Sequence, residues 1–210
     1  MATEAYSYSK IGTYENCPRM YKLKYIDEIS EQFETIEAYF GTVIHKVLEY
    51  AYLEDNKKEK EELFEYFEIF WEEGKELPIK IVRQNESEQQ YIIRGKELLQ
   101  NIYLEYKYDK LINIELEHSF QMQLPNNQMF SGKIDRIAKD EQGEIHLIDY
   151  KTSKKIFSFR NKFKALQIKS YGCWALNEFR LNSVYLHYNF LQHRKDINKL
   201  LIEEPHQIPE

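Results

Sequence analysis

Two charged side chains, Asp149 and Lys151, stand two positions apart at the end of an apolar run that includes Ile145, Leu147 and Ile148. Side chains alternate between the faces of a β-strand, so Asp149 and Lys151 are expected to project from the same side. Such a pair is either a surface ion pair on an edge strand or part of a site that binds a cation. The apolar run indicates a strand that emerges from a buried core, which favours the second interpretation.

A second carboxylate, Asp135, lies in the segment 131–136, one predicted turn before this strand. If the two strands pair antiparallel, Asp135 can lie close to Asp149. Two carboxylates beside an ammonium group would suit magnesium or manganese, which favour oxygen ligands. This set of groups suits phosphodiester hydrolysis. The carboxylates would anchor the metal, and Lys151 would orient or deprotonate the attacking water or stabilise the transition state.

The elements that position these side chains divide into a helical first half and a mixed second half. Ser9 is predicted to cap a short helix that runs through Glu15, and Pro18 to open another. Periodicity predicts helices over 36–53, 58–74, 88–108 and 163–179, and strands over 113–123, 129–139, 145–152 and 183–191. We expect the first three strands to be consecutive and antiparallel.

This order of elements predicts a mixed α/β fold, with a small central mixed sheet flanked by helices. We expect a single domain over 1–210, with 1–110 mostly helical and 111–210 carrying the sheet and the catalytic core. The length of 210 residues is enough for one substantial hydrophobic core.

The formal net charge of -6 is unevenly distributed along the chain. Residues 54–76 hold ten acidic side chains and four lysines, whereas residues 150–177 hold seven basic side chains and no acidic one. The basic run is either a cationic surface that attracts phosphate or a solvated loop and helix face. The chain has no apolar stretch of the roughly 20 residues that a membrane span needs. With only two cysteines, far apart in sequence, a cytoplasmic protein without disulfides is expected.

The segments GKIDR (132–136) and LIDYKT (147–152) resemble the metal-binding core of the PD-(D/E)XK nucleases, in particular the RecB-like branch. That branch includes nuclease domains of bacterial recombination helicase–nucleases and CRISPR-associated exonucleases. Four further blocks occur in the matching order: Ser7-Tyr8-Ser9 through Tyr14, Cys17-Pro18 and Tyr21; a G-x-x-x-H helix ending at His45; an E-x-x-F strand starting at Glu117; and a Q-x-x-x-Y helix with Gln167 and Tyr171.

The resemblance implies a restriction-endonuclease-like core in which His45, Asp135 and Asp149 bind magnesium or manganese. The backbone carbonyl of Tyr150 would be a further ligand, and Lys151 would be catalytic. A histidine ligand suits manganese better than magnesium. Without the resemblance, a histidine that simply packs within its helix would be the better interpretation of His45.

Other positions of the resemblance have less specific expectations. Glu117 could support a second metal or orient a metal ligand, or it could be a solvent-facing strand residue. Gln167 and Tyr171 share one helix face and could grip DNA, although Tyr171 could equally be a packing residue. The DNA-binding residues expected on this basis are Gln167, Tyr171, Lys154, Lys155 and Lys164.

Many RecB-like nucleases carry an iron–sulfur cluster held by four cysteines. Cys17 matches the first of these, but Cys173 lies within the Q-x-x-x-Y helix and no cysteine follows it. Since such clusters usually need four thiolates, no iron–sulfur cluster is predicted in this chain, and Cys17 is expected to be a buried apolar contact.

The resemblance implies a metal-dependent deoxyribonuclease, an exonuclease on single-stranded ends in DNA repair, recombination or CRISPR adaptation. A helicase or a CRISPR adaptation protein would be its partner. One alternative is a catalytically silent nuclease fold that binds DNA or scaffolds a partner. Another is a metal-dependent hydrolase whose substrate is not nucleic acid, which the basic run disfavours.

Overall fold

The structure, a computed structural model, describes residues 5–53, 57–75, 78–153, 155–157, 162–193 and 197–203, of which 162–164 and 197–203 are described by their backbone. In chain order the elements are α1 (Tyr8–Asn16), α2 (Pro18–Tyr21), a π-helical turn (Lys22–Ile26), β1 (Glu34–Thr35), α3 (Ile36–Tyr52), α4 (Lys60–Glu73), β2 (Ile79–Lys80), α5 (Glu88–Tyr108), β3 (Ile112–Gln123), β4 (Met129–Lys139), β5 (Ile145–Lys151), α6 (Lys162–Glu178), β6 (Ser183–Phe190) and β7 (Ile197–Glu203). None of the described helices is long and apolar enough to span a lipid bilayer.

The main sheet has five strands in the order β3-β4-β5-β6-β7. Strands β3, β4 and β5 are antiparallel neighbours, β5 and β6 are parallel, and β6 and β7 are antiparallel. Gly143 supports the tight turn between β4 and β5, because its φ of +83° is a conformation that other residues rarely adopt. The mixed α/β fold and the three consecutive antiparallel strands are confirmed.

The main sheet packs against a separate hydrophobic core on each of its two faces. Ile148 and Tyr150 of β5 pack with α3, α4 and α5, whereas Leu147 packs on the opposite face with α6. The side chains of β5 therefore alternate as the sequence pattern predicted. As a result, Asp149 and Lys151 lie on the face that α6 covers.

The helical layer is held by the apolar stripe of α3 and by a close contact between α4 and α5. Thr35 caps α3 by accepting a hydrogen bond from the backbone N–H of Ala38. Gly95 of α5 lies so near Phe67 of α4 that a Cβ at this position would be 2.1 Å from the phenyl ring. Glycine is needed here for close helix packing.

Two local predictions near the N-terminus were wrong. Ser7 caps α1, because the preceding residue Tyr6 is held in extended conformation against β4 and the helix starts at Tyr8; Ser9 lies inside the helix. Cys17 is exposed rather than buried, and its sulfur accepts a hydrogen bond from Met20 N at 3.4 Å. Cys17 is the N-cap of α2, a helix of four residues with no buried side chain, which explains its exposure.

Candidate active site

The backbone pairing of β4 with β5 ends just before Asp135 of β4 and Asp149 of β5. The β4–β5 pairing runs from Lys139 opposite Ile145 to Arg136 opposite Ile148, so the next step brings Asp135 opposite Asp149. There the side chain of Asp135 replaces the backbone ladder: its Oδ2 accepts a hydrogen bond from Tyr150 N at 2.7 Å. This contact fixes the backbone of β5 at Tyr150, next to the two carboxylates.

Three metal-ligating side chains converge at this point. The donor atoms of His45, Glu117 and Asp135 all lie within 4.8 Å of one another. The Nδ1 atom of His45 lies 3.4 Å from Asp135 Oδ1 and 4.0 Å from Glu117 Oε1. One imidazole and two carboxylates make a ligand set that suits a divalent cation such as manganese or magnesium.

His45 reaches the site from α3, and its Nε2 atom contacts the backbone of β5. Its Nε2 lies 3.1 Å from the carbonyl oxygen of Tyr150. Because a carbonyl can only accept, this contact assigns a proton to Nε2 and turns Nδ1 toward the carboxylates. Burial lowers the pKa of His45, but the carboxylate of Asp135 outweighs burial and the net shift is upward. The site thus favours a positive charge at this position.

Glu117 is placed by an unusual backbone conformation. The pairs that flank it, Leu116 with Arg136 and His118 with Ile134, bring it opposite Asp135. Its φ of 50° is in the left-handed region, which for a non-glycine residue costs on the order of 1–3 kcal/mol. Burial raises the pKa of Glu117, while Lys133, at 2.6 Å, opposes that shift. This local strain is associated with the placement of a carboxylate beside Asp135.

A closed ring of polar contacts joins β5 to α6. The ammonium of Lys151 forms an ion pair with Asp149 Oδ2 and donates to Gln167 Oε1 at 2.9 Å. Gln167 Nε2 donates to the Tyr171 hydroxyl at 2.8 Å, and that hydroxyl lies 3.5 Å from Asp149 Oδ1. Burial raises the pKa of Asp149 to about 6, against the opposing effect of Lys151. The ring fixes the position of the Lys151 amine.

The structure therefore divides the expected site residues into two groups. His45, Asp135 and the Tyr150 carbonyl lie together with Glu117, whereas Asp149 faces Lys151 and the helix α6. The position of Glu117 contrasts with its interpretation as a solvent-facing residue, since its side chain is 16% exposed.

The residues expected to bind DNA differ in their exposure to solvent. Tyr171 is 3% exposed and Gln167 bonds to Lys151, so both face the site and Tyr171 is too buried to stack on a base. Lys155 is exposed. Lys154 and the side chain of Lys164 lie outside the described residues.

The N-terminal segment places Tyr6 and Tyr8 near the site, and neither was given a role in the sequence analysis. Tyr6 pairs with β4 beyond the end of the β4–β5 ladder, through Tyr6 N to Met129 O at 2.8 Å and Ser131 N to Tyr6 O at 2.7 Å. Tyr8 follows, and its pKa is raised by burial and by the negative charge of Asp149. The block Ser7-Tyr8-Ser9 was the available signal, but its contact with β4 is non-local.

A family model for the PD-(D/E)XK nuclease superfamily matches residues 5–208. The chain belongs to this superfamily, whose members are in general metal-dependent nucleases that act on DNA, and its mixed sheet has the superfamily's restriction-endonuclease-like fold. No curated relative matches the chain. A crystal structure of a protein named SSO0001 is similar to it, with 13% identity and a TM-score of 0.33, over 87% of this chain and 73% of that one.

Proposed function

We propose that this protein is a metal-dependent deoxyribonuclease that hydrolyses phosphodiester bonds with magnesium or manganese. The observation that carries the proposal is the convergence of His45, Glu117 and Asp135 beside the positioned amine of Lys151. By resemblance to RecB-like nucleases, we extend it to an exonuclease on single-stranded ends in DNA repair, recombination or CRISPR adaptation, with a helicase or CRISPR adaptation partner.

His45, Glu117, Asp135 and the Tyr150 carbonyl would hold the cation; Asp149, the further ligand that the resemblance implies, adds its negative charge to the same place. When bound, a divalent cation lowers the pKa of water and neutralises charge on the phosphate. The two carboxylates position the cation, and Asp135 also holds the backbone of β5 at Tyr150.

Lys151 is the residue best placed to meet the phosphate. An ammonium group has three N–H donors; that of Lys151 forms an ion pair with Asp149 and donates one hydrogen bond to Gln167. A remaining N–H can donate to a phosphate oxygen and stabilise the charge that builds up in the transition state. Because Asp149 stabilises the charged amine, this geometry favours charge stabilisation over proton abstraction as the role of Lys151.

Cleavage of end-labelled single-stranded and duplex DNA, with manganese, magnesium or a chelator, tests the proposal. We expect metal-dependent cleavage that falls at least about a hundredfold in Lys151→Ala, the scale of one preorganised transition-state donor. Lys139→Ala, an exposed lysine at the opposite end of β4, is the control and should keep wild-type activity.

Labels at the 5′ and 3′ ends and a circular single strand separate exonuclease from endonuclease action. Wild-type protein that binds DNA but cleaves none with either metal would overturn the proposal in favour of a silent DNA-binding or scaffolding module.

A further inference from the structure

A cavity of about 480 Å³ opens next to the C-terminal end of β5, the strand that carries Asp149 and Lys151. Its wall includes Thr152, which directly follows Lys151, and its apolar floor is formed by Phe40 of α3 and Tyr91 of α5. Both aromatic side chains are buried, at 5% and 4% exposure, so they provide a fixed surface. The helices α3 and α5 thus build a pocket onto the strand that carries the candidate catalytic residues.

The position of the cavity relative to the metal site follows from α3. Phe40 precedes His45 by five residues, which corresponds to roughly 7.5 Å along the helix axis and to a rotation of about 140° around it, so the two side chains leave α3 on different sides. On the strand side, a Cβ at Gly41 would lie 3.4 Å from Thr152 Oγ1, so helix and strand are in contact between the two places. A separation of about 7.5 Å spans about two nucleotides at the duplex rise of ~3.4 Å each, and fewer in an extended single strand.

Positive charge lines this cavity. Arg83, Arg94 and Lys155 contribute to its wall together with a single carboxylate, Glu37. Arg83 is held by Glu37 at 3.1 Å and by Glu86 at 3.5 Å, and Arg94 by Glu86 at 2.9 Å. The guanidinium of Arg94 also lies 4.9 Å from the centre of the Tyr91 ring. These contacts orient two guanidinium groups, whose remaining N–H donors can bind phosphate oxygens.

We propose that this cavity is a subsite for the DNA strand one to two nucleotides from the scissile phosphodiester. Arg83, Arg94 and Lys155 would contact its phosphates, and the apolar floor of Phe40 and Tyr91 would contact its sugar or base. The assignment rests on the proposed nuclease function, because it takes the strand that is cleaved at Lys151 as the occupant. The subsite reads no base edge, so its binding is independent of sequence.

The test compares two basic side chains of the same helix. Arg94 and Lys96 both lie on α5, have side chains 34% and 36% exposed, and are each paired with one glutamate. Lys96 does not line the cavity, so Lys96→Gln is the matched control for Arg94→Gln. Lys155→Gln is a second variant, at an exposed position where loss of fold is not expected.

Affinity for a single-stranded oligonucleotide is measured by fluorescence anisotropy with a chelator present, at several salt concentrations. Arg94→Gln and Lys155→Gln should each raise Kd about threefold to fivefold, as expected for one partly exposed ionic contact. Each should also lower the slope of log affinity against log salt by about 0.7, the value for one phosphate contact on a single strand. With metal, KM should rise while kcat stays near wild type.

Wild-type affinity and salt slope in both variants, in a protein that cleaves DNA, would overturn the subsite and leave the nuclease function standing. The same wild-type values in a protein that only binds DNA would also overturn the subsite. A wild-type protein that neither binds nor cleaves DNA would overturn the function and the subsite together.

Discussion

Replacement of Tyr171 by phenylalanine removes the hydroxyl that links Gln167 to Asp149. The ring remains, so its edge contact with Phe120, at 5.8 Å between centroids, is kept. The side-chain amide of Gln167 then loses its acceptor at 2.8 Å, and Asp149 loses a donor at 3.5 Å. Unsatisfied buried polar groups cost about 1–3 kcal/mol each, and the Lys151 amine is no longer held by a closed ring.

Because Gln167 is only partly buried and the contact to Asp149 is long, at 3.5 Å, we expect Tyr171→Phe to lower the free energy of unfolding by about 1–2 kcal/mol in total. We expect kcat for DNA cleavage to fall roughly tenfold, which corresponds to about 1.4 kcal/mol of lost transition-state stabilisation. Affinity for single-stranded DNA, measured with a chelator present, should stay unchanged because Tyr171 is buried. Gln167→Ala should reduce kcat at least as much, since it removes the acceptor of Lys151.

Tyr39→Phe is the matched control for this experiment. Tyr39 is 1% exposed and its hydroxyl donates to the carbonyl of Trp71 at 2.5 Å, within the helical core. It should lose a similar amount of stability and keep kcat. If Tyr171→Phe instead weakens DNA binding while kcat is retained, Tyr171 contacts DNA and the positioning role is refuted.

Two further predictions concern buried charge. Because burial raises the pKa of Asp149 to about 6, above the usual 3.8, the folded state binds a proton that the unfolded state releases between those values. Stability from this group is present below pH ~4 and lost as pH rises through ~6, so metal-free Asp149→Asn should gain stability relative to wild type between pH 5 and pH 7.5 in urea titrations. A constant difference between these pH values would contradict this reasoning. Arg136 is 1% exposed and forms an ion pair with Asp109 at 2.5 Å. Arg136→Leu should cost about 3–5 kcal/mol in thermal unfolding, and the additional change Asp109→Asn should restore part of it, whereas additive losses would contradict the pairing.

The part of the site that depends on local geometry was predictable from sequence. The alternation of β5 places Asp149 and Lys151 on one face whatever the rest of the chain does, because successive strand residues point in opposite directions. The apolar spacing of α3 likewise predicts that His45 lies beside a buried stripe. Sequence patterns of period two or 3.6 carry this information directly.

The remaining part depends on contacts between distant elements. Glu117 reaches Asp135 only through the β3–β4 register and a left-handed backbone, and neither has a sequence signature at this position. The burial of Tyr171 depends on how α6 docks on the sheet, so its two interpretations could not be separated beforehand. The strand β7 was not predicted, since its pairing with β6 rather than its own pattern defines it.

The metal site is the central claim, and a manganese titration of three proteins tests it most directly. Glu117 is 16% exposed in the cluster, whereas Glu115, on the same strand, is 50% exposed and contacts His118. By calorimetry or electron paramagnetic resonance, Glu117→Gln should bind Mn²⁺ at least about tenfold more weakly than wild type, since it loses a charged ligand. Glu115→Gln should match wild type. Equal Mn²⁺ affinity in Glu117→Gln and wild type would contradict the assignment of His45, Glu117 and Asp135 to one cation.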